Sequence, residues 1–223
     1  KRRGVGHLRH SHAFLARRRT LARDRHPALL EALLEAGCRE LGFEGSLTAR
    51  HKENYRPEPI DRDLSILTSR RTTLELVMRR YVEQLPGVAI QSETFVKDLI
   101  VTPGSPAVVT GVRLEDGTEV TADLVVDAAG RNSLSPERLA ALGISIPETS
   151  ESCGVIYYTR HYRLAPGAEE PPRGGGSTTG DLGYIKYGVF PGDNGCFSIT
   201  LCVPEVEEEM RKAVVTPETF DAI

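Results

Sequence analysis

The sequence lacks the features of a disulfide scaffold, a zinc-binding domain and a membrane segment. Its four cysteines, Cys38, Cys153, Cys196 and Cys202, form no C-x-x-C pair and have no histidine at zinc-finger spacing. They are typical of free, mostly buried thiols in a reducing compartment, so we expect a cytoplasmic protein. No apolar run approaches the roughly 20 residues that cross a bilayer, and we expect no membrane span.

The charge is nearly balanced overall, at −3, but it is unevenly distributed. The first 26 residues contain nine Lys or Arg and one Asp. A basic segment of this kind could bind nucleic acid. However, no aromatic side chains are interleaved to stack on bases, and Phe14, Leu15 and Leu21 give the segment an apolar helix face. We therefore predict no nucleic-acid partner.

Histidines are concentrated in the same segment, where three occur within six residues. His7, His10 and His12 have no carboxylate among them and no helical i,i+4 spacing, which metal sites on helices use. We therefore predict no metal and expect these histidines to face solvent or a cofactor.

The periodicity of apolar residues predicts a mixture of helices and strands, and hence an α/β (α+β) fold class. Residues 13–36 form two helices broken at Pro27, and Gly37 ends the second. A third helix spans 72–85, capped by Thr72 or Thr73, with Glu75 in its first turn. A fourth is capped by Ser135. The predicted strands are 88–92, 95–101, 107–114, 119–126, 155–164, 183–190 and 196–203.

Two segments could carry chemistry. Residues 122–133, ADLVVDAAGRNS, are an apolar strand ending in Asp-x-x-Gly-Arg-x-Ser. The carboxyl end of a buried strand is where α/β folds bind ligands, and an arginine there suits a phosphate or carboxylate. The alternative is an ordinary strand–turn–helix connection in which Asp and Ser cap backbone groups.

Residues 69–75, SRRTTLE, place an arginine pair at a helix start, which by itself is typical of a solvated surface.

In this order and spacing, the segments resemble the FAD-dependent oxidoreductases related to p-hydroxybenzoate hydroxylase and the polyprenyl-methoxyphenol hydroxylases. The pattern of that family runs through an S-R-x-x-L-E helix, P-G-V, a β excursion and A-D-L-V-V-D-A-x-G-R-x-S. The opening residues 2–12, RRGVGHLRHSH, resemble its R-G-x-x-x-x-x-H-x-H segment. The resemblance spans roughly residues 2–165. It implies a partial FAD-binding Rossmann-like layer interleaved with an antiparallel substrate-domain sheet.

The resemblance also implies which residues would bind FAD. Arg71 matches the arginine that contacts the cofactor, with Arg70 as the alternative, and Val96 matches the position whose backbone meets the adenine. His12 belongs to the cofactor-facing opening segment. The turn near the flavin corresponds to Asp127, Ala128, Ala129, Gly130 and Arg131. No residue is identified as a catalytic acid or base.

One part of the family pattern is missing. Gly4-Val5-Gly6 is not the G-x-G-x-x-G fingerprint, because Arg9 stands where its last glycine should be and no strand precedes it. We therefore interpret the chain as an internal fragment of a flavoenzyme. Its predicted domain segments are 1–42 (helical, FAD-binding), 43–67 (substrate side), 68–150 (FAD-binding) and 151–223 (substrate domain). The helix 72–85 and strands 88–92 and 123–127 should form the nucleotide-binding layer, apart from an antiparallel sheet of 155–164, 183–190 and 196–203.

Three functional hypotheses follow. The first is an FAD-dependent monooxygenase that uses NAD(P)H and O2 to hydroxylate an aromatic or polyketide- or isoprenoid-like small molecule. The second is a reductase or halogenase of the same fold, although this chain has no tryptophan and halogenases of the fold carry a lysine in a Trp-rich motif. The third is a non-catalytic domain that has lost its nucleotide site. The oligomeric state is not predicted.

Overall fold

A computed structural model describes residues 6–12, 14–170 and 178–223. Residues 171–176, PPRGGG, whose composition predicts a flexible loop, and the first residues of the opening motif lie outside the described residues. Internal contacts divide the chain into two compact units, each described by itself below. The larger consists of Gly6–Pro86 and Ser152–Ile223, and the smaller spans Gly87–Glu151.

The first half of the larger unit is mainly helical, and the break predicted at Pro27 is confirmed. Pro27 occupies the first turn of the second helix, where its missing N–H costs nothing. The cap predicted at Gly37 is also confirmed, since Gly37 has φ +93° and Cys38 N–H donates to the Leu33 carbonyl at 3.0 Å. The elements are α1 (Ala16–Arg25), α2 (Pro27–Glu35), β1 (Arg39–Leu41), α3 (Ala49–Asn54), β2 (Ile66–Thr68) and α4 (Arg71–Glu83).

These elements share one apolar core. Leu33 of α2, Leu67 of β2 and Leu74 of α4 are at most 2% exposed, and Phe14 and Val77 pack with them. Burying each large aliphatic side chain stabilises the fold by about 1.5–3 kcal/mol. The short antiparallel pair of β1 and β2 positions the loop that leads into α4. The sequence did not predict α3, because its six residues, ARHKEN, carry no apolar period.

The smaller unit is built on an antiparallel meander. The hairpin turn predicted at Asp116-Gly117 is confirmed, since Gly117 has φ +89° and the Asp116 carboxylate accepts from Thr118 N–H at 2.9 Å. The elements are β3 (Val96–Thr102), β4 (Val108–Leu114), β5 (Glu119–Thr121) and α5 (Ser135–Ala140), with strand order β3-β4-β5.

Three predictions in the smaller unit are wrong. No strand forms at 88–92, and β5 ends at Thr121, so the predicted strand at 123–127 is also missing. Leu124 and Val126 are each 77% exposed. A strand needs a neighbouring backbone for its ladder of hydrogen bonds, and none of the described residues pairs with this segment. Ser135 is not the cap of α5 either, because it lies inside the helix and its hydroxyl binds Asp127.

The second half of the larger unit is a four-stranded antiparallel sheet with order β6-β9-β8-β7. The three strands predicted after residue 150 are confirmed, and the short β7 is additional. In the register of β6 with β9, Thr159 lies opposite Thr200 and His161 opposite Ser198, so one face is polar. The elements are β6 (Val155–Arg163), β7 (Thr179–Asp181), β8 (Lys186–Pro191), β9 (Cys196–Pro204), α6 (Glu208–Ala213) and α7 (Pro217–Phe220).

The other face of this sheet forms a second core. Leu201 and Val203 are buried against Ile185, and against Val214 and Phe220 from the C-terminal helical segment. The predicted α/β (α+β) class and the antiparallel sheet are therefore confirmed. The predicted nucleotide-binding layer is wrong as drawn, because strands 88–92 and 123–127 do not form and α4 belongs to the same unit as this sheet. Among the described helices, none has the length and apolar character needed to span a membrane.

Candidate cofactor site

The two arginines at the start of α4 have different partners. Arg70 binds the carboxylate of Asp193, which lies in the turn between β8 and β9. Its backbone N–H donates to Oδ1 at 2.7 Å, Nε donates to Oδ1 at 3.0 Å, and Nη2 donates to Oδ2 at 2.7 Å. Arg70 therefore has a structural role, which favours Arg71 as the arginine available to a ligand.

Asp193 also accepts hydrogen bonds from the residues at the start of α4. It is fully buried, and its Oδ2 accepts a 2.8 Å hydrogen bond from the Thr73 hydroxyl. Burial alone would raise the pKa of Asp193, but the bonds from Arg70 and Thr73 outweigh it and hold the pKa well below its usual range. The cap predicted at Thr72 or Thr73 is wrong, because α4 starts at Arg71 and neither threonine caps it.

Arg71 is held between a carboxylate and an imidazole. Its Nε donates to Glu75 Oε1 at 2.5 Å, and its Nη1 lies 2.8 Å from His12 Nε2. The predicted place of Glu75 in the first turn is wrong, because α4 starts at Arg71 and Glu75 lies just beyond its first turn. The Arg71 side chain is 21% exposed, and no described residue accepts a hydrogen bond from its Nη2. This free edge of the guanidinium fits a phosphate of FAD.

The partners of His12 define its protonation. Its Nδ1 lies 2.8 Å from the His10 carbonyl, which can only accept, and its Nε2 faces Arg71, which can only donate. These contacts assign the neutral tautomer with the proton on Nδ1. Burial lowers the pKa of His12 below its ordinary 6.5, the bond to His10 opposes this, and the charge of Arg71 lowers the pKa further.

A second guanidinium lies near Arg71. Arg18 of α1 lies over the Phe14 ring, 4.6 Å from its centroid, and its Nη2 contacts the Met78 sulfur at 2.7 Å. Burial, followed by the charge of Arg71, lowers the pKa of Arg18. Two partly buried cations whose charges act on each other favour the binding of an anion.

Hydroxyl groups form a continuous chain on the polar face of the sheet. His10 Nδ1 lies 3.2 Å from Thr159 Oγ1, which lies 2.8 Å from Thr200 Oγ1. Thr200 donates to Ser11 Oγ at 2.8 Å, and Ser11 Oγ lies 2.6 Å from Ser198 Oγ. The opening segment is therefore fixed to β6 and β9 by polar contacts.

In the smaller unit, the turn after residue 126 is organised by Asp127. Its Oδ1 accepts from Ala129 N–H at 2.8 Å, and its Oδ2 accepts from the hydroxyls of Ser133 and Ser135. Led by Ser133, these bonds lower the pKa of Asp127 to about 2. Gly130 has φ +63°, a conformation that favours glycine. These contacts match the alternative in which Asp and Ser cap backbone groups.

Val96 lies beside the same turn. Its carbonyl accepts a 2.8 Å hydrogen bond from Arg138 Nη2 of α5. A groove of about 360 Å³ is lined by residues from both segments, among them Phe95, Val96, Val126, Asp127, Ala128 and Ala129. The structure thus brings Val96 and the Asp127 turn together in the smaller unit, and His12, Arg70 and Arg71 together in the larger.

Several of these contacts could not be found from sequence patterns. Asp193 and Arg70 are 123 positions apart, and His12 and Arg71 are 59 apart. The Arg71–Glu75 pair has i,i+4 spacing, so the sequence alone could have predicted this ion pair on a helix. Within residues 6–12, 14–170 and 178–223, no three His, Cys, Asp or Glu side chains are grouped to hold a metal ion.

Comparison with known proteins gives matches only among solved structures. No protein-family model matches the chain, and no curated protein does. PqsL, a probable FAD-dependent monooxygenase from Pseudomonas aeruginosa, matches with a TM-score of 0.64 and 19% identity, over 96% of this chain and 56% of that one. The chain shares the fold of PqsL. The flavin-dependent brominase Bmp2 also matches, with a TM-score of 0.57 and 20% identity, over 91% of this chain and 48% of that one.

The match confirms the predicted resemblance at the level of the fold. The chain spans about half the length of these structures. A second structure of PqsL, in complex with 2-aminobenzoylacetate, matches with a TM-score of 0.62 and 17% identity, over 95% of this chain and 55% of that one. The assignment of individual segments and residues to FAD and substrate stays a prediction.

Proposed function

We propose that this protein is an FAD-dependent oxidoreductase of the monooxygenase type. The observation that carries the proposal is the fold match to PqsL over 96% of the chain. In this proposal, NAD(P)H supplies the electrons and O2 supplies the oxygen atom. FAD, when bound, provides the redox chemistry, and the protein provides binding, orientation and electrostatics.

The proposed cofactor contact in the larger unit is Arg71. Glu75 and His12 accept hydrogen bonds from its Nε and Nη1, which leaves Nη2 available to bind a ligand. A charge-assisted hydrogen bond from a guanidinium to a phosphate is worth about 1.5–3 kcal/mol. Arg18 adds a second positive charge nearby. Arg70 is less suited to this role because Asp193 occupies its Nε and Nη2.

The proposed contacts in the smaller unit are backbone groups. Hydrogen bonds to Asp127 fix the turn that contains Ala128, Ala129, Gly130 and Arg131. No described residue lies within 4 Å of the position that a Gly130 side chain would take. Such a turn lets a cofactor approach the main chain closely. Val96 lines the adjoining groove and is proposed to meet the adenine.

The proposed substrate is a small aromatic or polyketide- or isoprenoid-like molecule. An aromatic substrate is supported by the aromatic compound bound in the matching PqsL complex. The brominase match supports a second candidate function, halogenation of an aromatic ring by a flavoprotein of the same fold. We also propose a cytoplasmic location, which is supported by the free thiols of all four cysteines.

The test is a flavin titration followed by turnover. We expect the full-length protein that contains this chain to bind FAD, to oxidise NADPH when aromatic acids are added, and to place an oxygen atom from labelled O2 in the product. Brominated product formed with bromide present would instead support the halogenase. Failure to bind FAD at any concentration would leave the non-catalytic alternative.

A further inference from the structure

His12 contacts Arg71, the arginine that we propose to bind FAD. Its Nε2 accepts from Arg71 Nη1 at 2.8 Å, and its Nδ1–H is bound to the His10 carbonyl at 2.8 Å. The ring is also stacked on Phe14, with centroids 5.9 Å apart. Both ring nitrogens are therefore occupied, and the ring has a fixed orientation.

The Arg71 guanidinium is fixed on the opposite side by Glu75. With Nε bound to Glu75 and Nη1 bound to His12, rotation of the planar group would break two hydrogen bonds. An arginine oriented before the ligand arrives loses less conformational entropy on binding.

We propose that His12 is a positioning residue for Arg71, and that its neutral Nδ1–H tautomer orients the guanidinium toward an anionic group of FAD. The inference rests on the proposed function, since it takes FAD as the anion that Arg71 binds. It changes the role expected for His12 from a direct cofactor contact to an acceptor that acts through Arg71.

The charged and titratable groups around His12 favour its neutral form. Arg71 of α4 faces the ring directly, and the His7 ring lies 5.6 Å away, centroid to centroid. The other such groups near this cluster are His10, Arg18, Arg70, Glu75 and His161. Glu75 contacts Arg71. The charges of Arg71, His7 and His10 disfavour protonation of His12, whereas its hydrogen bond to the His10 carbonyl favours it.

The positioning role and a direct contact predict opposite effects of acid. A protonated His12 has no acceptor at Nε2, so the bond from Arg71 is lost and FAD binding weakens. If His12 contacted a phosphate directly, its protonation would add a positive charge and strengthen FAD binding.

The experiment measures the dissociation constant of FAD for the full-length protein from about pH 8 down to about pH 4.5, because the pKa of His12 is lowered below 6.5 and its protonation falls in the acid part of this range. We expect the wild-type constant to rise below pH 6.5, by up to about tenfold at the acid end, as the lost hydrogen bond predicts. His12→Gln, whose amide oxygen can still accept from Arg71, should stay within about threefold of wild type at high pH and show no acid loss. His12→Ala should bind about tenfold more weakly at every pH.

The controls separate this inference from the proposed function. His51→Gln, at an exposed histidine that contacts Thr48, should keep the wild-type pH profile. Tighter binding in acid, or wild-type affinity in His12→Ala, overturns the positioning role. If Arg71→Ala also binds FAD normally, the proposed contact itself fails. Nitrogen NMR of the unliganded protein provides a second measurement, and finding the proton on Nε2 of His12 would overturn the inference without any variant.

Discussion

At the scale of single residues, Arg70 and Arg71 are neighbours whose guanidinium groups bind different acids. Arg70 reaches across to buried Asp193, whereas Arg71 stays on its own helix with Glu75 and meets His12. The difference arises because Arg70 has an extended backbone just before the helix, whereas Arg71 is the first helical residue and faces Glu75 one turn further along.

The proposed role of Arg71 can be tested against a matched arginine on the same helix. Arg79 pairs with Glu83 through the same i,i+4 geometry but is 48% exposed. We expect Arg71→Ala to weaken FAD binding about ten- to hundredfold, since a charge-assisted hydrogen bond is lost. Arg79→Ala should leave the affinity unchanged. Equal affinities of the two variants in a flavin titration would contradict the assignment.

Removing Asp193 should destabilise the fold. Asp193→Ala would leave the Arg70 guanidinium, its backbone N–H and the Thr73 hydroxyl without an acceptor. Breaking a buried pair costs about 3–5 kcal/mol, and we expect about 2–4 kcal/mol here because Arg70 is partly exposed. Asp181→Ala, which removes an exposed pair with Lys186 and a hydrogen bond from Gly183 N–H, should cost less, about 0.5–1.5 kcal/mol by denaturant unfolding.

Asp193 should also contribute to acid unfolding. Its pKa is depressed in the folded protein, so its stabilisation is present above the ordinary pKa of 3.8 and is lost as the pH falls below that value. We expect the free energy of unfolding to decrease in this acid window, and to decrease less in Asp193→Asn. An identical acid dependence in both proteins would show that another carboxylate is responsible.

At the scale of the elements, local sequence signals correctly predicted the Asp116-Gly117 turn and the end of α2, but not the starts of α4 and α5. The cap of α2 depends on Gly37, whose φ of +93° disfavours any side chain, and a Cβ there would lie 2.5 Å from the Asn194 side chain. By contrast, the strand predicted at 123–127 depended on a neighbour that the sequence pattern could not supply. Apolar residues predict that a segment can pair but not what it pairs with.

The two glycines that flank β1 provide a test of the Gly37 cap. Gly37→Ala should lower the free energy of unfolding by about 1–2 kcal/mol, because alanine is strained at positive φ. Gly42 has φ −66°, and nothing lies within 4 Å of its added Cβ. Gly42→Ala should therefore be neutral or slightly stabilising. If both variants lose the same stability in urea unfolding, the cap is not the cause.

At the scale of the whole molecule, the chain contains two compact units with separate antiparallel sheets. Any ligand that binds only the folded protein adds to its stability by mass action. We expect FAD at about 100 times its dissociation constant to stabilise the protein by about 2.7 kcal/mol, seen as a higher melting temperature. Riboflavin, which has no phosphate for Arg71, should stabilise it much less at the same concentration. Equal shifts would argue against a phosphate contact.

The sequence by itself determined the elements whose signals are local. These include the helix break at Pro27, the cap at Gly37, the Asp116-Gly117 turn and the alternating strands after residue 150, because turn residues and periodicity act over a few positions. It also determined the resemblance that predicted the fold, and within the candidate site it nominated Arg71 and His12.

Only the tertiary structure decided how these residues interact. The partner of Arg70 is 123 positions away, and the tautomer of His12 depends on an arginine 59 positions away. The same is true of residues 123–127, whose apolar pattern predicts a strand although no described strand pairs with them. Hydrogen bonds and strand ladders need specific groups within about 3 Å, and chain folding, not sequence spacing, sets those distances.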